Sequence, residues 1–138
     1  MTKAPDLLRF YEDLDLPTFH ELAQRLASIN QNDIVGELSR QAAVYASYAG
    51  LAQYAKKEVS FLEIELNQCV TAAKIRARKE CEAKGTKATV AVVDTFVSSD
   101  ESCTEMTREL AILVEKEGLL KGLLNSLSQR KDCLIQLS

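Results

Sequence analysis

Apolar residues recur from Leu38 to Lys79 with the period of a packed helix. Leu38, Tyr45, Tyr48, Ala52, Ala55, Val59, Leu62, Leu66, Cys69 and Ala73 form one stripe, and from Tyr45 onward the steps alternate strictly between three and four. No proline interrupts this run and only Gly50 weakens it. The pattern therefore predicts one helix of about 40 residues, roughly 60 Å long at the usual rise per residue.

A second long pattern occupies the C-terminal part. Met106, Leu110, Leu113, Leu120, Leu124, Leu127 and Leu134 share a stripe broken only at Glu117 and Lys131, while Ile112, Leu119, Leu123, Cys133 and Leu137 make another. A helix with two apolar stripes needs more than one neighbour. Gly118 and Gly122, four apart, offer a place for close helix approach. Ser98, Ser99, Asp100 and Glu101 are a dense start signal for this helix, and Ser98-x-x-Glu101 and Ser102-x-x-Glu105 both fit capping boxes.

Shorter elements fill the remainder. Thr18-x-x-Glu21 also fits a capping box, and Phe19, Leu22, Ala23, Leu26 and Ile29 follow at helical spacing, which predicts a helix from Thr18 to about Ser28. Asn30 to Asp33 supply turn and cap chemistry, so the central helix begins near Ile34. Gly85 is its natural stop, with Lys79 and Lys84 complementing the negative end of the dipole. From Thr89 to Val97 the β-branched density favours a strand on propensity. A lone strand has no partner elsewhere in the sequence, and a short buried helix is the reading adopted. Residues 1–16 place Leu7, Leu8, Phe10, Tyr11, Leu14 and Leu16 among acidic residues and read as an N-terminal extension, either a short helix or a mobile arm.

The expected fold is all-α: a long central helix and a long C-terminal helix packed as a helical hairpin with a shorter N-terminal helix, in a single domain over residues 17–138. Two helices this long have more apolar face than the rest of a 138-residue chain can cover, so a homo-oligomer is expected.

Composition narrows the class. Hydrophobic content of 46% with 27% charged residues argues against wholesale disorder. Aromatics at 6%, with no Trp, suit thin helical layers better than a sandwich or barrel. Met1, Thr2 and Lys3 lead to Pro5 and Asp6 rather than to an apolar run, so no secretory leader is expected. The absence of any long apolar stretch likewise predicts no membrane span. Cys69, Cys81, Cys103 and Cys133 form no Cys-x-x-Cys pair and His20 is the only histidine, so neither a zinc site nor a disulfide framework is expected. Unpaired thiols suit a reducing cytosol, and the expected location is cytoplasmic. No phosphate loop, nucleophile elbow or H-E-x-x-H helix occurs, and the chain is read as a non-enzyme without cofactor, metal or catalytic residues.

Charge supplies the functional clue. Lys74, Arg76, Arg78, Lys79, Lys84 and Lys87 stand against Glu80 and Glu82, a local balance of +4 in a chain of net charge −3, which leaves −7 on the remainder. The bland reading is a solvated helix end whose cations favour the dipole. The functional one is phosphate binding, since closely spaced cations neutralise successive phosphates and release counterions. Tyr45 and Tyr48 lie on the apolar stripe and read as core, as does Cys69. Tyr54 falls off the stripe and could stack on a base, while His20 reads as a surface residue.

From about Pro17 onward the chain resembles the UvsY-type recombination mediators of bacteriophages. The resemblance rests on Ala42 to Leu51 (Ala-Ala-Val-Tyr-Ala-Ser-Tyr-Ala-Gly-Leu), Lys56-Lys57-Glu58 through Leu66, Lys74-Ile75-Arg76, then Lys87 to Val97 and a terminal helix ending in Leu127, Arg130 and Leu134. It implies an all-helical protein that assembles into rings, binds single-stranded DNA and helps load a RecA-like recombinase onto strands coated by single-strand-binding protein, in DNA recombination and repair. Carried over by position, Lys74 and Arg76 are the DNA-contacting pair. Where the family tends to have an aromatic pair and a glycine, Arg78, Lys79, Glu80 and Cys81 stand here, so phosphate contact is expected to carry more of the affinity than base stacking. The alternative reading is a helical structural or adaptor protein that oligomerises through its leucine stripes without touching nucleic acid.

Overall fold

The computed structural model describes residues 9–138, so Leu7, Leu8 and the rest of the predicted extension before residue 9 lie outside the described residues. The described chain is all-helical, with no strand. Residues 9–12 are helical, and α1 (Leu16–Ala27), α2 (Ile34–Lys84), α3 (Val90–Ser99) and α4 (Glu101–Leu137) follow, with a short 3-10 turn at Gln31–Asp33 before α2. The long central and C-terminal helices pack together, as the two apolar patterns require. No helix among the described residues is long and apolar enough to cross a membrane.

Helix boundaries follow local capping chemistry, with two departures from the expected capping boxes. Asp15, not Thr18, caps α1: its Oδ1 accepts the Thr18 backbone N–H at 2.9 Å. Pro17 then sits inside the first turn, where its missing N–H has no intrahelical bond to lose. Asp100, not Ser98 or Ser102, initiates α4, its Oδ2 accepting the Cys103 N–H at 2.9 Å. A short carboxylate outcompetes hydroxyls here because it is ionised and acts with the helix dipole. The 51-residue α2 starts where expected, with Asp33 Oδ1 accepting the Gly36 N–H at 3.1 Å.

Residues 89–97 form a helix as adopted above, capped by the Thr89 hydroxyl on the Val92 N–H. It is not a buried one, however. Val93 is its buried residue, while Val90 and Val92 face outward.

The chain divides into two compact units. The first comprises the described residues up to Lys56 together with Glu115–Ser138. Its core is built on Leu120, Leu123, Leu127 and Leu134 of α4, which are essentially inaccessible, with Tyr48, Leu51, Ala52 and Ala55 of α2 and Leu22 of α1. Tyr11 and Leu14, in the segment read as an extension, are also buried. Lys116 holds that segment by donating to the Glu12 carbonyl at 2.8 Å and lying 5.0 Å from the Tyr11 ring centroid. Gly118 and Gly122 mark no close helix crossing: a Cβ at Gly118 would meet nothing within 4 Å, and one at Gly122 only the Phe19 ring edge at 3.8 Å. Tyr45, expected in the core, is exposed beside Leu38, Ala42 and Ser128, because the burial seam passes through Gln41 and Tyr48 instead.

Gln41 belongs to a polar knot within this unit. Its Nε2 donates to the Leu127 carbonyl at 2.7 Å, and its Oε1 accepts from Arg130 Nη1 at 2.6 Å. Arg130 also pairs with Glu37 and donates to the Ser28 carbonyl at 3.3 Å, while Arg40 reaches Glu37 at 2.7 Å. The Arg130 and Glu37 side chains are 11% and 12% exposed, and no buried polar side-chain atom is left unsatisfied among the described residues. Gln41 facing Leu127 and Glu37 facing Arg130 make the α2–α4 pairing antiparallel here.

The second unit, Lys57–Val114, is leaner. Val59, Leu62, Ala73, Ala77 and Cys81 of α2 are buried with Val93 of α3 and Cys103 of α4. Ala73 and Ala77 present almost no side chain, which lets neighbouring backbone come close.

Two outcomes test this arrangement. Leu120→Ala should cost about 3 kcal/mol in urea unfolding followed by circular dichroism, whereas Leu124→Ala, at a half-buried position, should cost about 1 kcal/mol. Equal costs would contradict the assigned seam. Arg130→Ala should cost about 2 kcal/mol, because it leaves Glu37 with Arg40 alone and takes the donor from Gln41 Oε1 and the Ser28 carbonyl, and adding Glu37→Leu should recover part of that loss.

Candidate nucleic-acid interface

The basic cluster lies in the second unit, on the last turns of α2 and the loop beyond. Gly85 ends the helix in the left-handed region at φ 67°, which favours glycine. The Thr86 N–H returns to the Cys81 carbonyl at 2.9 Å and the Gly85 N–H to the Glu82 carbonyl at 3.1 Å, the paired bonds of a Schellman cap. This closure fixes the direction in which the chain leaves α2 toward Lys87.

The six cations are not equivalent. Arg76 pairs with Asp100 at 3.0 Å, and Lys84 pairs with Glu80 at 2.8 Å, one helical turn away. The Glu80 hydrogen bond, and then its charge, hold the Lys84 ammonium above its ordinary pKa. Lys74, Arg78, Lys79 and Lys87 form no ion pair among the described residues. Lys74 is half-buried and the other five are exposed. Lys74 and Arg76 stand two positions apart, about 200° around the helix, and so face different directions. Lys74 and Arg78, four apart, share a flank beside the buried Ala73–Ala77–Cys81 ridge.

No aromatic side chain of the tyrosine group joins these cations within their unit. Tyr45, Tyr48 and Tyr54 belong to the first unit, where Tyr48 is buried against Phe10 and the exposed Tyr54 packs edge-on to Tyr11 at 5.6 Å. The exposed aromatic of the second unit is Phe61, with Lys57 Nζ 5.4 Å from its ring centroid. His20 is exposed, as expected.

The residues expected to carry oligomerisation also separate into classes. Leu120, Leu127 and Leu134 are consumed in the chain's own core and offer no surface to a second copy. Met106, Leu110, Leu113 and Leu124 are half-buried. Sequence periodicity identified the stripe correctly as apolar but could not assign its partner, because a helix pattern reports which side is buried and not by what.

An apolar face that the sequence reading missed lies on α2 in the second unit. Phe61, Ile64 and Ile75 are 55%, 54% and 47% exposed. At about 100° per residue they fall within one narrow sector of the helix, opposite the seam of Val59, Leu62 and Ala73. Two heavy residues in the first turn of that sector and one three turns later were too sparse to register beside the stronger inner stripe.

Cys69, Asp100 and Cys103 were also missed as a group. Cys69 comes from the middle of α2, while Asp100 and Cys103 open α4, so no local spacing announces them. Their thiol sulfurs stand 3.0 Å apart, and Cys69 Sγ lies 3.9 Å from Asp100 Oδ2. The backbone and side-chain hydrogen bonds from Cys103, with Arg76 adding to them, hold the Asp100 carboxyl below its ordinary pKa. That cap is therefore intact at neutral pH and weakens as pH falls through the depressed value. Burial, then the Cys69 and Asp100 contacts, pushes the Cys103 thiol up to about 12.

Compared with known proteins, the chain matches no protein-family model, no curated protein and no solved structure.

Proposed function

We propose that this chain is a non-enzymatic recombination mediator that binds single-stranded DNA and assists loading of a RecA-like recombinase onto DNA coated by single-strand-binding protein. The observation that carries the reading is the end of α2. There Lys74, Arg78, Lys79 and Lys87 remain uncommitted to carboxylates in a chain whose remaining residues are strongly acidic. Phosphates are the ligands such a set neutralises best, and the acidic remainder keeps duplex or bulk nucleic acid from coating the rest of the surface. The resemblance to UvsY-type mediators supplies the recombinase and the single-strand-binding protein as partners. Arg76 plays a different part from Lys74 in this reading: it secures the α2–α4 contact through Asp100 and adds charge from behind.

Binding through so few cations gains from repetition. A homo-oligomer, ring-like in the resembled family, presents the patch many times to one strand and raises its effective concentration. The Phe61–Ile64–Ile75 face of α2 is the surface we assign to self-association, since these side chains are apolar, aligned and about half exposed. The same face favours the adaptor reading if no DNA binding is found.

Fluorescence anisotropy with a labelled poly-dT strand over a range of salt concentrations tests the DNA site. Wild type should show log affinity falling with log salt, and Lys74→Ala with Arg78→Ala should shallow that slope by about 1.4, at about 0.7 per phosphate contact. Arg76→Ala should act chiefly on thermal stability. An unchanged slope in the double variant would move the site elsewhere, and no binding by wild type at low salt would leave the adaptor reading. For assembly, Ile64→Asp should lower the mass seen by light scattering while circular dichroism stays helical. A folded wild-type monomer at micromolar concentration would refute self-association.

A further inference from the structure

The second unit also holds a cluster that the DNA-binding reading does not use. We propose that Cys69, Asp100 and Cys103 form a binding site for a thiophilic divalent cation of the zinc type. The three side chains come from two helices, and one donor atom from each lies within 4.8 Å of the others. Two sulfurs with a single carboxylate oxygen select zinc-like ions over calcium or magnesium, which require mostly oxygen donors.

The geometry is close to what the ion needs. Tetrahedral coordination with zinc–sulfur bonds of about 2.3 Å places two thiolate sulfurs about 3.8 Å apart. The observed 3.0 Å between Cys69 and Cys103 opens to that value by small side-chain rotations, and the 3.9 Å from Cys69 Sγ to Asp100 Oδ2 closes slightly. The half-buried Cys69 gives the ion a route in, while the buried Cys103 and the cap bond from its N–H to Asp100 hold the rest of the site in place. Water completes the fourth position.

Charge balance supports the same assignment. On binding, each thiol releases its proton to solvent, and two thiolates with one carboxylate carry −3. A divalent cation and the Arg76 guanidinium, 3.0 Å from Asp100 Oδ1, bring the group to zero. Arg76 is thus the outer partner that orients a ligating carboxylate, an arrangement common around protein-bound metals.

Cobalt(II) titration of the reduced full-length chain, with a phosphine reductant present, tests the site. One equivalent should produce thiolate charge-transfer absorption in the near ultraviolet and the intense visible bands of a four-coordinate ion, and zinc(II) should bleach both. Cys69→Ser and Cys103→Ser should each abolish the bands, while combined Cys81→Ser and Cys133→Ser should leave them unchanged. Asp100→Asn preserves an effective helix cap but removes the anionic donor, and it should weaken binding more than tenfold. Zinc(II) should also raise the thermal midpoint of wild type but not of Cys69→Ser. Absent bands in a folded wild type, or bands that survive in both single-cysteine variants, would overturn the proposal. So would a pair that takes up no metal and instead loses two hydrogens in mass on exposure to oxidised glutathione, which would assign it to disulfide formation. DNA binding is read independently by anisotropy, so neither result decides the other.

Discussion

The burial of narrow apolar seams between the long central and C-terminal helices is the constraint on which everything else depends. A helix as long as α2 draws little stability from its own hydrogen bonds and is held by what covers its apolar stripe. In the first unit that cover is dense: four leucines of α4 are essentially inaccessible, and Tyr11 and Leu14 are buried as well. In the second it is thin, with alanines and cysteines at the interface and the short α3 as an additional layer. The thin unit is also the one that carries the basic cluster, the exposed Phe61–Ile64–Ile75 face and the Cys69–Cys103 pair.

Polar interactions refine this frame rather than create it. The Arg130–Glu37–Gln41 knot sets register between α2 and α4 in the first unit, since Arg130 satisfies a carboxylate, an amide oxygen and a carbonyl at once. Asp100 plays the corresponding part in the second, capping α4 while pairing with Arg76 of α2. Each couples helix position to charge chemistry. Arg76, drawn into that role, carries an ion pair that Lys74 and Arg78 lack, although sequence alone places all three in one run of cations.

The period of the apolar residues determined the helical class, the body of α2 and the leucine seam of α4, because side-chain direction along a helix repeats with a fixed angle; the 51 residues of α2 exceed the 40 or so that the period marks, since caps and turns set its ends. Turn chemistry determined the stop at Gly85, where the left-handed backbone suits glycine. Competition among neighbouring caps was only partly legible: Asp15 and Asp100 prevailed over Thr18, Ser98 and Ser102 by being charged and correctly placed, and both kinds of residue satisfy the same pattern. Tertiary structure alone decided three things. It buried Leu120, Leu127 and Leu134 inside one chain and left Phe61 and Ile64 outside, because periodicity fixes a face but not its partner. It divided the cations between ion pairs and solvent, because the carboxylate of Asp100 reaches Arg76 across 24 residues of sequence. It brought Cys69 to Cys103 for the same reason, since contacts between helices join positions that no local spacing connects.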